Sequence, residues 1–122
     1  MNTPATDEAC RPLLQRVLRT IVVVDIVESV RLMLQREDQV ITQWREFLRE
    51  ARSTTLPAHG GHLVKSLGDG MLLTFDGVRP ALACAASLRA ALARHADADT
   101  PAEPLRLRTG LQSAVCCGRD LH

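Results

Sequence analysis

Hydrophobic and polar residues alternate differently in successive parts of the chain. Residues 17–27 (VLRTIVVVDIV) form a continuous β-branched run, which predicts a buried central strand. From Ser29 to about Arg52, apolar residues recur at intervals of three and four, which predicts an amphipathic helix with Ser29 as its N-cap. Pro57 and the glycine pair 60–61 mark the end of this helical region.

A hairpin is predicted in the middle of the chain. Residues 62–67 and 71–75 are strand-like runs on either side of the turn Gly68-Asp69-Gly70. The glycines let the chain reverse tightly and leave space beside the Asp69 carboxylate. Strict alternation places Lys65 on one face with the two leucines of the first run. An ammonium on such a face must extend to solvent or meet a polar ligand, and solvent is the more common outcome.

The last part of the chain predicts a second helix and further strands. The helix runs from Arg79 to about His95 and carries an Ala/Leu/Cys stripe. A fourth strand covers Leu105 to Leu111, with its arginines on a solvated face, and a fifth runs from Ser113 to Cys117. The element order predicts an α+β fold in which helices cover one face of a mainly antiparallel sheet.

Composition narrows the class of protein. The 122 residues fit one domain, with residues 1–16 as a flexible lead-in and 17–122 as the folded part. With 15 basic and 14 acidic residues, one Trp and two Phe, nucleic-acid binding is a poor hypothesis. No apolar run approaches a membrane span and residues 1–12 lack a signal-peptide core, so we expect a cytoplasmic protein.

Two aspartates stand where strand-like runs stop, Asp25 near the end of the first run and Asp69 at the hairpin turn. A carboxylate at the end of a buried strand is costly unless a cation meets it. If the first strand lies beside the hairpin, the two carboxylates meet at one sheet edge and suit Mg²⁺ or Mn²⁺, which prefer oxygen ligands. The alternative is that Asp69 only forms the turn and Asp25 only begins the helix.

Other residues support weaker hypotheses. The four cysteines show no CxxC spacing and predict reduced packing residues. A zinc site made from them and the four histidines is a less favoured alternative. Trp44 and Phe47 lie at helical spacing, which predicts core positions rather than a base-stacking platform.

Three segments resemble the class III adenylate/guanylate cyclase catalytic domain: TIVVVDIVESV (20–30), GGHLVKSLGDGMLLTFDG (60–77) and LRLRTGLQSAV (105–115). The resemblance covers residues 17–122 and implies a ferredoxin-like βαββαβ nucleotide cyclase fold that is incomplete at its C-terminus. It also implies a lyase that converts ATP to 3′,5′-cyclic AMP and pyrophosphate with two Mg²⁺ or Mn²⁺ per site. In that reaction the ribose 3′-oxygen attacks the α-phosphorus.

The resemblance assigns roles to individual residues. Asp25 and Asp69 would be the catalytic metal ligands, and Ile26 would add its backbone carbonyl. Lys65 would help to select adenine over guanine. Backbone N–H groups near the triphosphate would come from the start of the first helix, at Val27, Glu28, Ser29 and Val30.

The chain also departs from the family pattern. Family sites form between two subunits, so a homodimer or a cyclase-domain partner is expected. The Asn and Arg that act near the reacting phosphate would lie beyond His122, and His122 itself falls near the purine-contact position. Glu28 stands where a small residue or Gly is common. We therefore expect the isolated chain to be inactive, marginally stable, and prone to dimerisation or aggregation.

Two other classes of function stay open at this level. The chain could be a non-catalytic regulatory or nucleotide-binding module that acts through dimerisation with a partner domain. A diguanylate-cyclase-like domain shares a related topology, but its GGDEF-type turn is replaced here by SLGDGM. A receiver domain is disfavoured because a hairpin does not fit a parallel doubly wound sheet.

Overall fold

The structure is a computed structural model that describes residues 16–95 and 104–117. The predicted lead-in, apart from Arg16 in the first strand, and His122 lie outside the described residues. In chain order the elements are β1 (Arg16–Ile26), α1 (Ser29–Glu50), a π-helical turn (Ala51–Thr55), α2 (Leu56–Ala58), β2 (His62–Leu67), β3 (Gly70–Phe75), α3 (Val78–Arg94) and β4 (Leu107–Cys117).

The four strands form one sheet in the order β2-β3-β1-β4, and every neighbouring pair is antiparallel. This is the α+β arrangement that the element order predicted. β1 lies in the interior of the sheet between β3 and β4, as expected for its β-branched sequence. Asp25 consequently has Gly70 opposite it on β3 and Arg108 opposite it on β4.

One face of the sheet packs against the helices and forms the core. On β1 this face carries Val22, Val24 and Ile26, each at most 3% exposed. Trp44 and Phe47 of α1 are buried in the same cluster with ring centroids 5.2 Å apart, which confirms them as core residues. Among the described residues, no helix is long and apolar enough to cross a membrane.

β4 corrects the prediction of separate fourth and fifth strands. It is one strand of 11 residues that pairs with β1 from Ile26↔Leu107 to Arg16↔Cys117. Gln112, which separates the two predicted strands, lies opposite Ile21, and Gly110 lies opposite Val23 in the same uninterrupted ladder. Pairing along the whole of β1 therefore outweighs the weak strand propensity of a glycine.

A bulge in β2 corrects the predicted face of Lys65. Leu63 pairs with Leu73 and Lys65 pairs with Leu72, so the register shifts between them. The extra residue moves Lys65 to the face opposite Leu63, because side chains alternate with a period of two. Of the two leucines of β2, Leu67 alone stays on the face of Lys65, and the Lys65 side chain is exposed.

α1 differs from the prediction in two ways. Ser29 is its first residue and not its N-cap; Glu28 occupies that position and makes no side-chain capping bond. Arg36 has non-helical torsions, so the helix is kinked there. Before the kink, the buried side of α1 carries Leu32, whereas Leu34 is 83% exposed, because residues two positions apart lie on different sides of a helix.

Candidate active site

The backbone brings Asp25 and Asp69 to one edge of the sheet. Asp69 lies in the two-residue turn between β2 and β3, and its carbonyl accepts a 3.1 Å hydrogen bond from the Ile26 N–H. Gly70 makes this approach possible, because a Cβ there would lie 2.4 Å from the Val24 carbonyl oxygen and 3.2 Å from the Asp25 Cβ. The predicted juxtaposition of the first strand and the hairpin is therefore present.

The Asp69 carboxylate is held by the beginning of α1. The Ser29 hydroxyl donates a hydrogen bond to Asp69 Oδ2 at 2.5 Å. Ser29 was predicted to cap its own helix, but its hydroxyl bonds instead to the Asp69 side chain on the hairpin turn. The bond fixes the hairpin turn against α1, and its donor is a neutral hydroxyl.

The Asp25 carboxylate is held by a cation from β4. Arg108 donates to Asp25 through two atoms, Nε to Oδ1 at 3.1 Å and Nη2 to Oδ2 at 3.2 Å. These hydrogen bonds raise the pKa of the Arg108 guanidinium; the charge of Asp25 adds to the increase, and that of Asp69 adds less. Both carboxylates therefore act on the same cation.

An open groove of about 720 Å³ lies beside Asp69 and beside Arg108, the partner of Asp25. Asp69 and Arg108 line it together with the beginning of α1, and Val30 and Leu34 give it an exposed apolar flank. The full lining is Ile26, Glu28, Ser29, Val30, Arg31, Leu34, Gln35, Asp69 and Arg108. Charged groups of both signs therefore meet the positive end of a helix in this groove.

Three of the predicted site residues do not line the groove: Asp25, Val27 and Lys65. The Val27 N–H donates to the Arg106 carbonyl at 2.8 Å, so it is already engaged within the protein. Val27 instead lines a separate cavity of about 490 Å³ with Arg89, Leu92 and other residues. Lys65 lies on β2, which β3 separates from β1, and it does not line the groove.

Glu28 has an unusual backbone conformation at the rim of the groove. Its φ of 55° and ψ of 41° are left-handed, a region that glycine adopts far more easily than other residues. Its carboxylate accepts hydrogen bonds from Arg31 at 3.0 and 3.2 Å and lies 3.8 Å from Arg106 Nη2. The conformation gives a physical reason why Gly suits this position.

The donor set fits a small divalent cation of the magnesium type. Such ions take one or two carboxylates from the protein and leave other positions for water or phosphate oxygens. Asp25 and Asp69 supply these carboxylates from adjacent positions of one sheet edge. Within residues 16–95 and 104–117, no group of three or more His, Cys, Asp or Glu side chains is placed to hold a metal.

Sequence reasoning missed two of the contacts that shape the site. Arg108 was assigned to a solvated strand face, and it is exposed, but its guanidinium is bound to Asp25. Ser29 was assigned to helix capping. The sequence offered one usable signal, since alternation already placed Arg108 on one face of a strand; the pairing register with β1 was needed to identify its partner.

Comparison with known proteins finds the same fold in solved structures of nucleotide cyclases. The sequence matches no protein-family model and no curated protein. Among solved structures, an adenylate/guanylate cyclase/hydrolase from Silicibacter pomeroyi is 31% identical with a TM-score of 0.70, covering 89% of this chain and 63% of its own. The guanylyl cyclase Cya2 is 19% identical with a TM-score of 0.71, covering 85% of this chain and 57% of its own.

A third similar structure comes from the adenylate cyclases of Trypanosoma brucei in their monomeric state, with a TM-score of 0.70 and 18% identity. It covers 81% of this chain and 56% of its own. The chain has the fold of these structures, and the matches support a class III adenylate/guanylate cyclase domain, as the three sequence segments predicted. The chain spans about three-fifths of the length of these structures.

Proposed function

We propose that this chain supplies the metal-binding side of a nucleotidyl cyclase site that converts ATP to 3′,5′-cyclic AMP and pyrophosphate. The observation that carries the proposal is the meeting of Asp25 and Asp69 at one sheet edge, beside an open groove at the beginning of α1. Fold similarity alone would not support an activity, because one fold hosts many functions.

Asp25 and Asp69 are the side chains that would hold two Mg²⁺ or Mn²⁺ ions, and the Ile26 carbonyl is the proposed backbone ligand. When bound, such ions lower the pKa of an attacking hydroxyl and offset the charge of a polyphosphate. The Ser29 hydroxyl holds Asp69 at 2.5 Å and so limits the rotation of one of these ligands.

The groove itself is suited to a polyphosphate. Ser29 and Val30 lie in the first turn of α1, where backbone N–H groups have no intrahelical partner and favour an anion. Arg31 and Arg108 add positive charge to the lining. In the proposed reaction the ribose 3′-oxygen bonds to the α-phosphorus, and the bond from that phosphorus to the pyrophosphate oxygen breaks.

The position of Lys65 favours a site shared between two subunits. Its exposed side chain lies outside the groove that Asp69 and Arg108 line, so it suits a role in reading the purine at the site of a second copy or a partner domain. Because related adenylate cyclases of Trypanosoma brucei were solved in a monomeric state, we assign the dimer to activity rather than to the fold.

Complementation tests the proposed function. The chain is mixed with an intact class III cyclase domain whose metal aspartates have been replaced, and cyclic AMP is measured with ATP and Mn²⁺. We expect product from the mixture and none from the chain alone. Asp25→Asn and Asp69→Asn should each abolish the product. Asp38→Asn, at an exposed position of α1, is the matched control and should leave it unchanged.

The outcomes separate the proposal from its competitor. No product from a mixture that forms a stable heterodimer, together with ATP binding to the chain, would favour a non-catalytic nucleotide-binding module. Product that survives Asp25→Asn would overturn the role of the carboxylate.

A further inference from the structure

The Asp25 carboxylate is already paired with a positively charged side chain of the protein. Both of its oxygens accept hydrogen bonds from the Arg108 guanidinium, at 3.1 and 3.2 Å. A magnesium-type ion binds carboxylate oxygens at about 2.0–2.1 Å. A metal ion and the two-pronged guanidinium therefore compete for the same two oxygen atoms.

The fold places Arg108 there but does not lock it in position. The antiparallel register of β1 and β4 sets Asp25 opposite Arg108 on the same face of the sheet. Within residues 16–95 and 104–117, Asp25 is the only hydrogen-bond or ion-pair partner of the Arg108 guanidinium. Its side chain is 69% exposed, so it can turn into solvent without breaking a second contact.

The two aspartates differ in the charge of their hydrogen-bond partners. Asp69 accepts a hydrogen bond on Oδ2 from the neutral Ser29 hydroxyl. Asp25 is bridged on both oxygens by a full positive charge, and a bidentate guanidinium–carboxylate pair is the stronger and geometrically more specific contact. Asp25 is thus the ligand for which an incoming cation must compete.

We propose that Arg108 is an internal competitor for the metal site: a divalent ion binds Asp25 only when the guanidinium leaves, so Arg108 raises the free metal concentration at which the site fills. This inference rests on the proposed metal-binding role of Asp25 and Asp69. It concerns the unliganded chain and predicts that removing a residue from the site tightens metal binding.

Mn²⁺ titration of the full chain tests this, with free Mn²⁺ followed by electron paramagnetic resonance. We expect Arg108→Gln to lower the Mn²⁺ Kd by about fivefold, the upper end for an exposed ion pair. Arg108→Lys keeps the charge but loses the two-pronged contact, so its Kd should fall between the two.

Arg106→Gln is the matched control. It removes the same charge two residues away, where the exposed Arg106 side chain lies 3.8 Å from Glu28 and has no contact with Asp25. We expect its Mn²⁺ Kd to stay within about twofold of the wild type, because exposed charges at a distance are screened by salt.

The possible results are distinct. An unchanged Kd in Arg108→Gln, or an equal decrease in both glutamine variants, would overturn the competition, the second because it indicates only a general charge effect. If neither the wild type nor any variant binds Mn²⁺, the proposed metal site fails and the inference fails with it. Circular dichroism reports whether Arg108→Gln is folded, and if it is not, Arg108→Lys decides.

Discussion

The two ends of β1 are built in opposite ways. At its C-terminal end, Asp25 and Ile26 are tied to three other segments: β4 through Arg108, the hairpin turn through Asp69, and α1 through the Ser29–Asp69 bond. At its N-terminal end, Leu18 is 66% exposed and its partner Val115 on β4 is 67% exposed. By alternation both lie on the face that carries Val22 and Val24, beyond the part that the helices cover.

The difference shows which part of the fold is held together by contacts among the described residues. The polar contacts described around the aspartates come from the chain itself, so the sheet edge that carries Asp25 and Asp69 is assembled internally. The apolar residues at the other end lie paired on adjacent strands and uncovered in this structure. Self-association of the isolated chain remains a prediction, and Leu18 and Val115 are where we expect it to act.

The largest expected loss of stability comes from truncating a core side chain in the part of the sheet that the helices cover. Leu73→Ala removes a fully buried side chain of β3 and should reduce the free energy of unfolding by about 2–5 kcal/mol. Leu18→Ala makes the same chemical change at an exposed position and should cost less than about 0.5 kcal/mol. Urea unfolding followed by circular dichroism measures both. Equal losses would contradict the comparison.

A smaller loss is expected where β1 and β3 approach most closely. Gly70→Ala places a Cβ against backbone atoms of β1, and the strands must separate locally, at a cost of about 1–3 kcal/mol. The same separation should weaken Mn²⁺ binding, because Asp25 lies opposite Gly70.

Gly68→Ala is the control for this prediction. A Cβ at Gly68 would meet no atom within 4 Å, and its φ is not left-handed, so its stability should change by less than about 0.5 kcal/mol. If the two substitutions were equally costly, loss of turn flexibility rather than close strand approach would be the cause.

Substitution of Glu28 by Gly should have the smallest effect on stability, and it should stabilise the protein rather than destabilise it. Glu28→Gly relieves a left-handed backbone, worth about 1–2 kcal/mol, but gains chain flexibility in the unfolded state, so the net stabilisation should be about 0.5–1 kcal/mol. Glu28→Ala removes the carboxylate and keeps the strained backbone, so it should give no increase. Thermal and urea unfolding compare them; an increase in both would attribute the effect to the carboxylate.

The local pattern of apolar and polar residues was sufficient to predict the bounds of most strands and helices. β1, β2, β3 and α3 begin and end within about one residue of their predicted bounds, because strand runs and helical spacing are recorded in neighbouring residues. The same information placed Asp25 and Asp69 at strand ends. Their meeting required only that β1 lie beside the hairpin.

The failures have a common cause in contacts between distant segments. The continuity of β4 through Gly110 depends on its ladder with β1, and the face of Lys65 depends on a bulge against β3. Ser29 and Arg108 have carboxylate partners 40 and 83 positions away in the sequence, respectively. No periodicity within a single segment records such partners.

The central claim is that Asp25 and Asp69 form one metal-binding edge, and a Mn²⁺ titration of aspartate variants tests it most directly. Outer contacts of metal ligands alone are commonly worth about 10–100-fold in affinity, so we predict that Asp25→Asn and Asp69→Asn each weaken Mn²⁺ binding by more than about tenfold. Asp38→Asn should match the wild type. Equal Mn²⁺ affinity in the wild type and in both site variants would contradict the claim.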